Sequence, residues 1–323
     1  MKNITFSQAT LEAMQEEMQR DPKVFVMGED IARQGGIFGQ FKDLGSLVGA
    51  ERVIDTPISE TAIVGAAVGA ALAGMRPVAD MHFADFFGVC MDEVFNQMAK
   101  IRYMFGGQTK VPVVVRAPDG MGKGAAAQHS QSVEAWFVHI PGIQVVVPSN
   151  AADAKGLLKS AIRSDNPVVY FENKTLFPIK GDVPEGEHLT PIGKACITRE
   201  GKDVTLISYS AMLLKCLTAA ETLAKEGISA EVLDLRTLSP LDTEAILASV
   251  RKTSRVVIAH EAVKQGGVGA EVAAIIAEEA LDALDAPIAR VASPFTPVPF
   301  SPTLEEAYRV RPEHIVAAAK KLF

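Results

Sequence analysis

The chain has 323 residues, 48% of them apolar, and a formal charge of −7. That length suffices for about two domains with a large core, and the acidic balance, without a basic stripe, excludes a nucleic-acid-binding surface. Its three cysteines, Cys90, Cys196 and Cys216, lie far apart with no Cys-x-x-Cys pair, which excludes a disulfide framework or zinc cluster and suits a reducing cytosol.

Met1–Ser7 lacks the apolar core of a signal peptide. The stripe Ala9, Leu11, Ala13, Met14, Met18 predicts a helix over Ser7–Arg20 with Ser7 as N-cap. Strands are expected at Val24–Met27 and Val53–Ile54, a helix at Ile63–Gly74, a strand at Pro77–Met81 and a long helix at Asp85–Met104. The longest uncharged apolar run, Thr61 to Met75, is too short and too rich in Ala and Gly to span a bilayer. A soluble cytoplasmic protein is therefore expected. Val111–Arg116 and Ile143–Val147 read as β-branched strands, Ala151–Arg163 as a helix and Val168–Phe171 as a strand. Strands this uniformly apolar are buried on both faces, as in a parallel sheet.

Pro178, Pro184, Pro191 and several glycines then mark 178–201 as a linker that could carry a hairpin. Alternation resumes with strands at Val204–Ser208, Ala230–Leu235, Arg255–Ala259 and Ile288–Val291. Helices are expected at Ala211–Glu226, Asp242–Lys252, Val268–Leu284, Leu304–Arg309 and Pro312–Lys321. The fold class is α/β, with one domain over 1–177 and a second over 202–323.

The run Asp55-Thr-Pro-Ile-Ser-Glu60 sets one acid at the mouth of a helix built from small residues. A carboxylate in that low dielectric is disfavoured as the anion unless hydrogen-bonded, which suits a group that trades a proton near neutral pH. The plainer reading is a first-turn acid with Ser59 or Thr56 as cap. Gly65 and Gly69 would let a backbone or flat ligand approach the helix. His129 follows the glycine-rich Gly120–Gly124 and is either an acid/base group or an exposed loop histidine. That glycine stretch is no phosphate loop, because Lys123 precedes Gly rather than Ser or Thr. In Asp85-Phe-Phe-Gly88 the acid reads as a first-turn charge and the rings as core, although one ring could stack on a ligand. Gly266-Gly-Val-Gly-Ala-Glu271 is an incomplete dinucleotide turn, and His260-Glu261 stands at the expected end of a strand, where α/β sites gather. No partner is readable for His82, His139, His188 or His314.

Several segments in order along nearly the whole chain resemble the beta subunit of the thiamin-diphosphate-dependent component of 2-oxoacid dehydrogenase complexes. They are Met27-Gly-Glu-Asp30, Asp55–Glu60, Gly69-Ala-Ala-Leu-Ala-Gly-Met-Arg-Pro77, Ala126-Ala-Gln-His-Ser-Gln131, Asp153-Ala-Lys-Gly-Leu-Leu158, Asn166-Pro-Val-Val169, Asp234-Leu-Arg-Thr-Leu-Ser-Pro240 and Thr296-Pro-Val-Pro-Phe300. The resemblance implies a pyrimidine-binding α/β domain followed by a transketolase-type C-terminal domain. It assigns Glu60 to a hydrogen bond with the cofactor's aminopyrimidine ring, Phe86 to packing on that ring, Ile58 to the same pocket, and His129 to the intermediate and the incoming lipoyl group. It also implies a monovalent cation, potassium in type, on the main-chain carbonyls of Val113, Ala161, Ile162, Ser164 and Asn166, with Ser164 standing where Asp is frequent.

The implied reaction forms a hydroxyalkyl-thiamin intermediate and passes the acyl group to the lipoyl group of a dihydrolipoyl acyltransferase. A carboxyl paired to the aminopyrimidine favours the imino form that removes the reactive proton. The Gly-Asp-Gly…Asn magnesium site of such enzymes does not occur here: Gly181-Asp182 is followed by Val. A partner alpha chain is therefore expected to supply the metal and phosphate half, in a heterotetramer of two alpha and two beta chains. Arg102-Tyr-Met-Phe-Gly-Gly107 and Pro297–Ser301 look most like acetoin dehydrogenase beta chains, with pyruvate the competing substrate. Two other classes remain open: a nicotinamide- or flavin-binding oxidoreductase, and a non-catalytic scaffold of the same fold. The incomplete glycine turn weighs against the first, and the pair Glu60 and His129 against the second.

Overall fold

The structure is a computed structural model describing residues 1–323. The chain forms two compact units, Met1–Asp119 with Trp136–Ile192 and Gly120–Ala135 with Gly193–Phe323.

The first unit opens with strand β1 (Lys2–Thr5) and helix α1 (Phe6–Arg20). The helix is capped by Thr5 rather than Ser7: Gln8 N donates to Thr5 Oγ1 at 3.1 Å and Thr5 N donates to Gln8 Oε1 at 3.0 Å. Two orphan donors are thereby satisfied reciprocally. There follow β2 (Val24–Gly28), α2 (Leu44–Val48), β3 (Val53–Asp55), α3 (Glu60–Leu72), β4 (Arg76–Asp80), α4 (Ala99–Met104) and β5 (Val114–Asp119). The chain re-enters the unit at Trp136, within α5 (Glu134–Val138), and continues through β6 (Gln144–Val146), α6 (Ala151–Arg163), β7 (Val168–Asn173) and β8 (Lys180–Val183). Strands β6, β7, β5, β4, β2 and β3 pair in that order, all parallel. Val26, Val78, Val114 and Val168 are buried in one core with Met14, Leu157 and Leu158 from the covering helices.

Two expectations are corrected here. Asp85–Met104 is not one helix: Ala84–Gly88 is a 3₁₀ turn, Glu93–Met98 is π-helical, and only Ala99–Met104 is α-helical. The turn separates the adjacent rings. Phe87 is buried 4.5 Å from Phe137 and 6.0 Å from Phe171, whereas Phe86 is half-buried with its ring edge-on to Phe83. Strand β5 begins three residues later than expected, because Pro112 offers no N–H to the ladder.

The stretch 178–201 holds two strands rather than a hairpin. β8 runs antiparallel to β1, with Lys2 opposite Val183, while β9 (Cys196–Arg199) belongs to the second unit. That unit continues with β10 (Val204–Ser208), α7 (Met212–Lys225), β11 (Ala230–Asp234), β12 (Thr237–Ser239), α8 (Thr243–Thr253), β13 (Val256–Val263), α9 (Val268–Glu279), β14 (Ala289–Ser293), α10 (Pro302–Tyr308) and α11 (Pro312–Lys320). Its sheet order is β14-β13-β10-β11-β9, parallel except for the edge strand β9. Leu206, Val232 and Val257 pack beneath Leu213, Cys216 and Ile315. β13 runs on to Val263, so His260 and Glu261 lie inside the strand and not at its end.

The excursion 120–135 is held by long-range hydrogen bonds. Met121 N donates to Glu261 Oε1 at 2.6 Å, Gly124 N to Glu305 Oε2 at 3.0 Å, and Tyr209 OH to Glu134 Oε1 at 2.6 Å. Arg309 reaches back to Gly122 O at 3.0 Å.

Candidate active site

Parallel register aligns Gly28 with Asp55 and Asp80 at the carboxyl ends of β2, β3 and β4. The segments that follow, Glu29-Asp30, Thr56–Glu60 and His82-Phe83, therefore leave the sheet along one edge, where α/β folds place their ligands. Asp55 is an anchor: its carboxylate accepts from Ala32 N at 2.7 Å and from Arg33 N at 3.3 Å. Thr56 N donates to Gly28 O at 2.9 Å. α3 then begins at Glu60 itself, with Ser59 in the N-cap position but no side-chain cap bond from Ser59.

Glu60 is half-buried and stands in a field of other ionisable groups. Burial, then the Glu60 and Asp30 charges, holds the Glu29 carboxyl above the usual carboxylate range. His82 Nδ1 lies 3.6 Å from Glu29 Oε2, and burial pulls the imidazole down against the attraction of Asp30 and Glu60. The Cys90 thiol is pushed up to about 12 by burial, with Glu60 adding to the effect. Glu60 is thus the shared electrostatic neighbour of Glu29, His82 and Cys90. Nothing local in the sequence marks a partner for His82 or a separate role for Glu29. Only the parallel register, which is non-local, brings these residues together.

Thr61 Oγ1 donates to Val89 O at 3.0 Å and ties the start of α3 to the segment carrying Phe86. Gly65 makes room for the Glu93 carboxylate, whose Cδ would lie 3.3 Å from an added Cβ, while an added Cβ at Gly69 would meet nothing. Ile58 is 81% exposed on the loop before Glu60. His129 belongs to the second unit, half-buried in a loop where Ala126 takes φ +58°. A non-glycine residue there is strained and is held by its surroundings.

Thr56 Oγ1 and His82 Nδ1 are buried without a hydrogen bond. Together with the carboxyls of Glu29 and Glu60 and the partly open ring of Phe86, they fit a flat heteroaromatic group with ring nitrogens and an amino substituent. No group of three or more His, Cys, Asp or Glu side chains is arranged to hold a metal. Gly267 and Gly269 lie against His260, where added Cβ atoms would sit 2.7 Å and 2.8 Å from its ring. These glycines serve packing inside the unit.

Of the five carbonyls assigned to a cation, those of Ala161, Ile162, Ser164 and Asn166 belong to the last turn of α6 and the residues just after it, and that of Val113 precedes β5. Val113 O accepts from Val168 N at 2.9 Å and Ala161 O from Ser164 N at 3.1 Å. Ile162 O and Ser164 O both accept from the Arg76 guanidinium, at 2.9 Å and 2.5 Å.

Residues 2–180 match the transketolase pyrimidine-binding domain and residues 193–315 the transketolase C-terminal domain, which defines a transketolase-type protein. Over 99% of its length the chain is 49% identical to the beta subunit of acetoin:2,6-dichlorophenolindophenol oxidoreductase of Cupriavidus necator, covering 97% of that protein. It is 49% identical to the 2-oxoisovalerate dehydrogenase subunit beta of Bacillus subtilis, over 96% of this chain and 95% of the relative. It is 46% identical to the mitochondrial pyruvate dehydrogenase E1 component subunit beta of Dictyostelium discoideum, over 99% and 91%. A solved structure described as a split-gene transketolase, an inactive beta4 tetramer, superposes with a TM-score of 0.80 at 28% identity, covering 99% of this chain and 98% of that one. The chain belongs to the family of beta subunits of thiamin-diphosphate-dependent 2-oxoacid and acetoin dehydrogenases. No helix is long and apolar enough to cross a membrane.

Proposed function

We propose that this chain supplies the pyrimidine half of a thiamin-diphosphate site, with Glu60 as the carboxyl that hydrogen-bonds the aminopyrimidine ring. The observation that carries this reading is the convergence of Glu29, His82 and Cys90 on Glu60 at the carboxyl edge of β2, β3 and β4. When bound, the cofactor supplies a nucleophilic carbon and an electron sink. Glu60 would hold the aminopyrimidine ring through a hydrogen bond to its carboxyl group. Glu29 stands beside it, its carboxyl held above the ordinary range by burial and by the Glu60 and Asp30 charges. Phe86 offers an apolar ring face, Ile58 closes the rim, and His129 serves the acyl transfer to a lipoyl group on an acyltransferase.

An alpha chain supplies the pyrophosphate and magnesium half, in a two-alpha, two-beta assembly. Two surfaces support a partner. The open side of α3 is made of Thr61, Ala62, Ala66 and Gly69, all small enough for close backbone approach. Val89, Phe95, Tyr103, Met104 and Phe105 also expose apolar area of the kind that marks an interface. Acetoin is the substrate favoured by the Arg102–Gly107 and Pro297–Ser301 segments. The relatives named above do not decide it, since acetoin and 2-oxoisovalerate enzymes are equally similar.

The test is reconstitution with the neighbouring alpha chain, magnesium and thiamin diphosphate, assayed on acetoin, pyruvate and branched 2-oxoacids with an artificial electron acceptor. Glu60→Gln is expected to lower turnover by about 10²–10⁴-fold while the assembly elutes unchanged. Full activity of that variant would leave the chain a scaffold.

A further inference from the structure

Arg76 begins β4 just after Gly74, whose φ of +94° turns the chain out of α3. Its guanidinium is largely buried and reaches the end of α6. Nε donates to Ile162 O at 2.9 Å, one terminal nitrogen to Ser164 O at 2.5 Å, and the other to Asp165 Oδ1 at 3.2 Å. Arg102 donates to Asn166 Oδ1 and, at 3.4 Å, to Asp165 O. Lys110 pairs with Asp165 Oδ2 at 2.7 Å. These partners hold the Asp165 carboxyl below the ordinary range, with the Lys110 hydrogen bond the largest cause.

Two carbonyls of the set that the family resemblance gives to a monovalent cation therefore already meet Arg76, while Arg102 and Lys110 hold the adjoining Asp165 and the Asn166 side chain. Both carbonyl oxygens lie within hydrogen-bond distance of one guanidinium. A second positive ion on those oxygens would share them with a like charge, and the carboxylate beside them, Asp165, is already shared between Arg76 and Lys110. The frequent acid at position 164 is Ser here, so no further negative charge compensates. The residues present do not fit a bound potassium ion.

We propose that Arg76 is a built-in replacement for that ion: it locks the turn Ile162–Asn166, and the chain needs no monovalent cation to hold it. A planar guanidinium with several fixed donors is suited to bridge two carbonyls and a carboxylate at once. The inference concerns folding of the first unit and does not depend on the thiamin reading.

The test is the melting temperature of the full chain in potassium, sodium or choline chloride at equal ionic strength. The three values are expected to agree within about 1 °C, and Arg76→Met is expected to melt at least about 4 °C lower than wild type in choline chloride. A saturable, potassium-specific rise of several degrees in the wild type would overturn the proposal, as site-specific ion binding stabilises in proportion to ligand excess. An Arg76→Met chain that melts with wild type would overturn it equally. If that variant does not fold, the salt comparison on the wild type still decides.

Discussion

His260 shows how one buried side chain dictates a glycine pattern. It is fully buried in β13, its Nδ1 faces Ala262 O at 3.1 Å, and its ring stacks on Tyr209 with centroids 6.2 Å apart. Burial lowers the imidazole pKa to about 4, so it stays neutral at physiological pH. Gly269→Ala would drive a Cβ to 2.8 Å from this ring. It should cost about 1–3 kcal/mol, read as a lower urea midpoint. Asp80 is the second residue with a testable consequence. Full burial raises its carboxyl from 3.8 to about 7, although Arg116 pulls the other way. Below pH about 4 both folded and unfolded chains keep this proton. As pH rises from about 4 to about 7 the unfolded chain releases it while the folded chain retains it, so stability falls across that window and levels off above it. Glu172, raised in the same direction by burial, adds to the fall. Asp80→Asn should therefore lose less melting temperature than wild type between pH 5 and pH 7.5, about the span of the shift.

Among the elements, helix α6 and strand β10 are found at the residues the sequence indicates, because an N-cap Asn or a β-branched run marks them locally. The segment 85–104 departs from the single helix its sequence indicates for an equally physical reason. Apolar spacing alone does not separate an α-helix from a 3₁₀ turn followed by a π-helical stretch, and the choice is made by where Phe87 finds its partners. Those partners, Phe137 and Phe171, come from distant parts of the chain. The broken segment also separates the roles of the two rings. Phe87→Ala should cost about 3–5 kcal/mol in denaturant unfolding. Phe86→Ala should change stability far less, but raise the cofactor concentration needed for half-maximal activity of the reconstituted complex.

At the scale of the whole molecule, the family was legible because its short motifs recur in order along nearly the entire chain, and Glu60 stood out from its position before a helix of small residues. The grouping of 120–135 with the second unit was not legible. It depends on Glu261 and Glu305, 140 and 181 residues away from the N–H groups they accept. Removing one acceptor tests it: Glu261→Ala should speed amide exchange at Met121 by about 10-fold, the scale of one lost hydrogen bond, with the rest of the unit unchanged. The electrostatic setting of Glu60 was equally hidden, since Glu29 and His82 meet it only through strand register. That setting carries the functional account, and proton exchange at the reactive carbon of thiamin diphosphate, followed by quenched-flow NMR in deuterium oxide, interrogates it directly. The reconstituted complex with Glu60→Gln should exchange that proton at least about 10²-fold more slowly than wild type. Equal exchange rates in the two complexes would contradict a role for Glu60 in moving it.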